Sequence, residues 1–266
     1  MLTTEQIARA ADRLHEAERS RSQIAALTLD HDMTLDDAYA VQKQWVDRKM
    51  NEGTRLLGYK IGLTSRAMQR AVHIDEPDYG VLLEDMAIAN GSRVETANFT
   101  DPMIEAEFAF FLRQPLFGDS VTQEQVLEAT DYCVPALELI AARSYRVDPT
   151  TGYTRKIFDT IADNAANAGV VLGDCRIRPA DVDLRWAGAL LYLNDQIEET
   201  GLAGGVLGHP AEGIAWLCRR FALHGIRLQP GQLLLSGSFT RPVRVRPGDQ
   251  VRADYGAFGE IHLNFM

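Results

Sequence analysis

The sequence predicts an α+β fold. Three observations lead there: helix-capping pairs and helical spacing confined to residues 1–54, period-two alternation of apolar side chains from Leu56 onward, and Pro-Gly punctuation between short apolar runs near the C-terminus. Thr3 with Gln6 and Thr34 with Asp37 are spaced as N-cap pairs, and Ala38, Val41 and Trp45 follow at helical spacing, so residues 4 to about 50 read as helices joined by a connector over Leu27–Met33. From Leu56 the period changes: Leu57, Tyr59, Ile61 and Leu63 point one way and Gly58, Lys60 and Gly62 the other, giving a strand with one bulky and one bare face. A second strand is predicted over Ile104–Leu112, then a helix opening near Thr122, then an apolar strand over Tyr132–Ile140 in which Pro135 suggests a sheet edge or a bulge. Asp183–Ile197 reads as a hairpin turning at Asn194–Asp195. A helix beginning at Pro210 buries Ile214, Leu217, Cys218 and Phe221 and stops at Gly225, and Ile261, Leu263 and Phe265 alternate to the C-terminus. No repeat or linker interrupts this order, so residues 1–266 are expected to form one catalytic unit, a helical region over 1–54 and a β-rich body over 55–266.

Composition narrows the function. With 46% hydrophobic and 24% charged residues the chain is ordinarily globular, and 27 basic against 37 acidic side chains leave a net charge of −10. That balance argues against a nucleic-acid partner and means that an anionic substrate needs a local positive centre. No segment approaches the roughly 20 apolar residues of a membrane span, and the N-terminus lacks a signal-peptide core, so no membrane partner and a cytoplasmic location are expected. Cys133, Cys175 and Cys218 are odd in number and widely spaced, which reads as core thiols.

Period-two geometry puts Glu105 and Glu107 on one face of their strand, with Ile104, Ala106, Phe108 and Phe110 on the other. A generic Glu-x-Glu is more often a half-exposed polar face, but this face continues into Ala109 and Phe111, and a third carboxylate, Glu138, lies inside the apolar run Val134–Ile140. A lone buried carboxylate costs several kcal/mol unless it is paired or coordinates a cation. Three carboxylates with no His or Cys nearby favour a hard ion, Mg²⁺ or Mn²⁺, over zinc, and leave open positions that a 2-oxo acid can fill with its carboxylate and keto oxygens. Lys60 lies between two glycines on the bare face of its strand, and Asp78 lies in an acidic turn; singly, each reads as ordinary surface.

Together these segments resemble a known family. GYKIGLTS, EPDYGVLLEDM, PMIEAEFAF, VPALELI, FDTIADNAANAG and PGDQVRADYGAFGEI are similar, in order and over essentially the whole chain, to the hydratase and decarboxylase branch of the fumarylacetoacetase-like superfamily. The resemblance implies a mixed β-sheet roll with N-terminal helices, assembled as a homo-oligomer, with Glu105, Glu107 and Glu138 as metal ligands and Lys60 as the active-site lysine. Asp78 stands where the hydratases carry Asp and related decarboxylases an aliphatic residue, which implies water addition. FDTIADNAANAGVVLG, EETG and GSFTRPV narrow the implied substrate to a seven-carbon 2-oxo-alkenoate diacid of homoprotocatechuate degradation. Hydrolytic members use a His-Glu dyad; here His31 lies near Asp32, Asp36 and Asp37 without that spacing.

In the implied reaction Lys60 stabilises enolate charge or moves a proton and Asp78 orients or deprotonates water. Arg241 is the candidate for the distal carboxylate, its alternative being a surface arginine beside Arg244 and Arg246; Arg143, Arg155 and Lys156 are lesser candidates. His209 reads as a helix-start imidazole, and Asp159, Asp163 and Asn164 as loop organisers. The glycine pairs lack the strand-GxGxxG-helix setting of a dinucleotide site, so no nucleotide cofactor is expected. The rival readings are a 2-oxopent-4-enoate hydratase, a 4-oxalocrotonate-type decarboxylase and a silent subunit supporting a pathway enzyme.

Overall fold

The computed structural model describes residues 1–71 and 74–266. Two helices open the chain where the capping pairs put them: α1 (Thr4–Ser20) behind Thr3, and α2 (Leu35–Asn51) behind Thr34, each with both halves of its capping box formed. Then come strand β1 (Leu56–Gly62), helix α3 (Arg66–Ala71) and strands β2 (Asp78–Leu83), β3 (Ala87–Ile88), β4 (Arg93–Val94) and β5 (Met103–Leu112). Helix α4 (Gln123–Ala129), strand β6 (Thr130–Ile140), helix α5 (Ile157–Ala162) and strand β7 (Asn167–Leu172) follow. The hairpin β8 (Gly188–Leu193) and β9 (Gln196–Leu202) precedes helix α6 (Pro210–Ala222) and strands β10 (Leu233–Leu235), β11 (Val243–Arg244), β12 (Gln250–Asp254) and β13 (Glu260–Phe265).

Among the described residues the strands form two sheets. The larger runs β2-β1-β10-β5-β6-β7-β3, with β11 also on β5; the smaller runs β4-β13-β12-β8-β9. Between them lies the main core: Ile61, Phe108, Phe110 and Leu137 from the large sheet meet Val251, Ile261, Leu263 and Phe265 from the small one, with Leu217 and Phe221 of α6. The N-terminal helices pack Leu14, Val41 and Trp45 against α5 and the β2 end of the sheet, around Leu83, Met86 and Ile161. This is the α+β roll with N-terminal helices that the sequence predicts.

Turn chemistry follows the expected residues. Asn194 and Asp195 both adopt left-handed φ, 51° and 63°, which gives a two-residue hairpin the twist its strands need. At the two Pro-Gly pairs, Gly231 and Gly248 carry positive φ, and the amides of Gln232 and Asp249 close the turns on the carbonyls of Gln229 and Arg246. Of the three unpaired cysteines, Cys133 and Cys218 are buried, while Cys175 is only partly so.

Two local expectations are corrected. Pro135 is at neither an edge nor a bulge: β6 is an interior strand, with Pro135 opposite Phe108 of β5. Its neighbour two residues back, Cys133, directs its amide away from β5, to the Ile177 carbonyl, so the donor missing at Pro135 falls on that same side, just beyond the end of the β7 ladder. The β1 alternation also breaks at both ends. A bulge between Leu56 and Gly58 turns Leu57 to the face that carries Leu82, and Leu63 leaves the strand with φ 54°.

Candidate active site

Register brings the acidic residues together. Glu105 of β5 lies directly opposite Glu138 of β6, and Glu107 is two residues along the same face. On the other side of β10, Lys60 of β1 pairs with Gly80 of β2 and Gly62 with Asp78, which sets Lys60 and Asp78 side by side. Farther along, this sheet face is apolar, through Ala109, Ala136, Val170, Leu233 and Leu235. The charged end opens into a cavity of about 380 Å³ lined by Lys60, Asp78, all three glutamates, Arg155, Glu199 and Arg241.

The three glutamates offer carboxylate oxygens that lie within 4.8 Å of one another. Glu138 is fully buried; its Oε1 accepts from Asn167 Nδ2 at 2.8 Å and lies 3.3 Å from Lys60 Nζ, while its Oε2 has no partner among the described residues. Glu107 Oε2 accepts from the Gly237 amide at 2.9 Å. Asp78, 2% exposed, also has an oxygen, Oδ1, with no partner among the described residues. That atom explains Gly62: a Cβ there would fall 2.1 Å from Asp78 Oδ1, so only glycine lets the Asp78 carboxylate stand beside Lys60.

Electrostatics show what the cluster lacks. Burial pushes Glu105 up to about 8, helped by Glu138 and Asp78 against the pull of Lys60. Burial and then Glu138 raise Glu107 well above the carboxylate range, and burial raises Asp78. Burial alone would lower Lys60, but Glu138, Asp78, Glu105 and Glu107 together outweigh it and hold the ammonium above its usual range. If fully ionised, the five carboxylates around the cavity (Asp78, Glu105, Glu107, Glu138, Glu199) would outnumber its three cations (Lys60, Arg155, Arg241) by two charges, which one divalent ion would offset. An all-oxygen donor set with an orphaned buried carboxylate oxygen fits a hard divalent cation.

A strained turn forms part of the wall. Asn164, Ala165 and Ala166 take successive left-handed φ of 52°, 51° and 59°, a conformation that costs each about 1–2 kcal/mol without glycine. Asn164 holds it by bridging Val81, accepting from its amide at 2.7 Å and donating to its carbonyl at 2.9 Å. Ala165 and Ala166 thereby face the cavity. Asp159 receives the Thr28 and Lys156 amides, so these residues organise loops as expected.

The arginine candidates separate. Arg241 lines the cavity, but its side chain is 81% exposed and pairs with Glu199 at 2.5 Å. Arg155 lines the cavity from within the fold, half-buried. Arg143 does not line it; it is buried against Asp163, Glu18 and the Trp45 ring. Lys156 is exposed at the start of α5. His209 caps α6, Nδ1 accepting from the Ala211 amide, and His31 is outside the cavity lining. Sequence reasoning missed Asn167, the Gly237 amide, Ala165 and Ala166. The only sequence signal for them is their place in the motifs that carry the resemblance.

Comparisons with known proteins bear on the family and the fold. A profile of the family described as fumarylacetoacetate (FAA) hydrolase C-terminal matches residues 59–265. The chain is 54% identical over 257 residues to 2-oxo-hept-4-ene-1,7-dioate hydratase of Escherichia coli, with 96% of each chain covered. It is 36% identical to 2-keto-4-pentenoate hydratase of Paraburkholderia xenovorans, over 99% of this chain and 96% of that one. Its structure superposes on 4-oxalocrotonate decarboxylase from Pseudomonas putida, complexed with magnesium and adipate, at a TM-score of 0.94 and 31% identity, covering 100% and 99% of the two chains.

Proposed function

The chain belongs to the fumarylacetoacetate hydrolase C-terminal family, and on that premise we propose that it hydrates 2-oxo-hept-4-ene-1,7-dioate to 4-hydroxy-2-oxoheptanedioate. It is a hydro-lyase of aromatic catabolism, and it binds a divalent metal. The observation that carries the reading is the sheet face on which Glu105, Glu107 and Glu138 converge beside Lys60 and Asp78. Mg²⁺, with Mn²⁺ as its substitute, held by the three glutamates would supply a Lewis acid for the carboxylate and keto oxygens of a 2-oxo acid.

The chain's own groups do the rest. In the substrate the C4–C5 double bond is isolated from the ketone and resists water. A proton must leave C3 and one must reach C5 before water can add at C4. Asp78 Oδ1, buried and without a partner among the described residues, accepts a proton in this reading. Lys60 Nζ, kept as an ammonium by the surrounding carboxylates, donates to the oxygen on which enolate charge develops. Burial of both groups keeps bulk water from competing for these protons. Arg241, at the exposed wall and paired with Glu199, and Arg155, on the inner wall, are the cavity's two candidate partners for the distal carboxylate. The reading extends to the homoprotocatechuate route and to a homo-oligomer able to associate with a pathway enzyme.

Decarboxylation of a 4-oxalocrotonate-type substrate is the second reading, favoured by the superposition on that decarboxylase. One assay separates the two. Protein and Mg²⁺ are incubated with the seven-carbon diacid while ultraviolet absorbance and CO₂ are followed. Absorbance loss without CO₂ is expected; CO₂ release, or no change, overturns the hydratase reading.

A further inference from the structure

We infer that Arg155 is the residue by which this cavity tells a 2-oxo diacid from a 2-oxo monoacid. The inference rests on the diacid reading above and adds the residue that enforces it. Two arginines line the cavity, and they differ in what already neutralises them. Arg241 has Glu199 at 2.5 Å and is mostly in water, so a substrate carboxylate must displace an existing partner to gain a screened contact. Arg155 is half-buried, and among the described residues no carboxylate lies within ion-pair distance of it. Its one side-chain hydrogen bond runs from Nη1 to the Ser144 carbonyl at 3.1 Å.

The carboxylates nearest in charge are committed elsewhere. Asp163 pairs with Arg143 at 3.0 Å and takes the Arg143 amide at 2.7 Å. Asp159 takes the hydroxyl and amide of Thr28 and the amide of Lys156. Burial accordingly pushes the Arg155 guanidinium down, the direction expected of a cation awaiting an anion.

Arg155 is also held in place before any ligand arrives. It leaves a small hairpin closed by the Val147–Thr154 bridge, and its own amide donates to the Arg146 carbonyl at 3.0 Å. Ser144, which takes its guanidinium, is itself bridged to Ile24. A planar fork with free N–H groups on a pinned backbone grips a carboxylate with little ordering cost. A neutral chain end at that position would leave the cation unpaired, so the site rejects monoacids as well as selecting diacids.

The test is calorimetric binding, with Mg²⁺ present, of two unreactive saturated analogues, 2-oxoheptanedioate and 2-oxoheptanoate. Wild-type protein is expected to prefer the diacid, and Arg155→Ala to reduce that preference by about tenfold to a hundredfold while Mg²⁺ affinity is unchanged. Arg155→Lys is expected to recover part of the preference, and Arg241→Ala to reduce it by less than about threefold. If wild type prefers the diacid and Arg155→Ala keeps that ratio, the inference is overturned and the diacid reading stands. Equal weakening of both ligands also overturns it. A wild type that does not discriminate overturns both.

Discussion

Two buried charge clusters meet at Asn167, and they are built on opposite principles. On the helical side, Arg143 sits between Asp163 and Glu18, gives a further hydrogen bond to the Asn167 carbonyl and stacks over Trp45; of its three guanidinium nitrogens only Nε lacks a partner. On the sheet side, Asn167 Nδ2 supports Glu138, and there four carboxylates surround one lysine. With Lys49 also on Glu18 at 3.2 Å, the first cluster sets two cations against two carboxylates and is nearly satisfied in hydrogen bonds; the second is unbalanced, with Glu138 Oε2 and Asp78 Oδ1 left open among the described residues. Both lie among the most buried polar groups of the chain, so burial does not distinguish architecture from chemistry. The uncompensated charge does: a fold can keep a balanced cluster by itself, whereas an unbalanced one needs a ligand.

The largest effect expected is on turnover at the unbalanced cluster. Lys60→Ala should lower kcat by about 10²–10⁴ while Mg²⁺ affinity, measured calorimetrically, holds or rises because a neighbouring positive charge is removed. Wild-type kcat in this variant would remove Lys60 from the chemistry.

At the balanced cluster the expected loss is in stability. Arg143→Met leaves Asp163 buried without its cation and should destabilise the fold by about 3–5 kcal/mol in denaturant unfolding, with Mg²⁺ affinity of the folded variant within about threefold of wild type. A large fall in metal affinity would show that the two clusters are one unit and break the comparison.

A smaller effect, of opposite sign to ordinary acid denaturation, is expected from pH. Glu105, Glu107 and Asp78 are raised in the folded, metal-free protein, Glu105 to about 8, so between about pH 5 and 8 the folded state holds protons that the unfolded state has lost. Unfolding then releases protons, and their contribution to stability falls as pH rises through that window. Thermal unfolding in EDTA should show this decline, and Mg²⁺ should restore most at the alkaline end. A metal-free protein whose carboxylates contribute no decline between pH 5 and 8 would mean that the cluster's charge is compensated after all.

Much of this was legible in the sequence because local rules were obeyed. Thr3, Thr34 and Thr122 cap helices, Asn194–Asp195 turns a hairpin, and the period-two face of β5 identifies Glu105 and Glu107. What was not legible depends on register between segments. Nothing within β5 or β6 alone says that Glu105 lies opposite Glu138, or that the Pro135 nitrogen points where no ladder bond is needed. The bulge at Leu57 is likewise set by its pairing with β2. The arginines illustrate the same limit: Arg241 and Arg155 look alike in sequence, and only the folded chain pairs one with the Glu199 carboxylate and gives the other, among the described residues, the Ser144 carbonyl alone.

The central claim, that the unbalanced cluster holds one divalent cation, is tested most directly by titrating wild type and Glu138→Gln with Mg²⁺ in a calorimeter. The account predicts one ion per chain in wild type, bound with proton release near neutral pH, and affinity at least about a hundredfold weaker in Glu138→Gln. Equal affinity in the two proteins, or no binding to wild type, would contradict it.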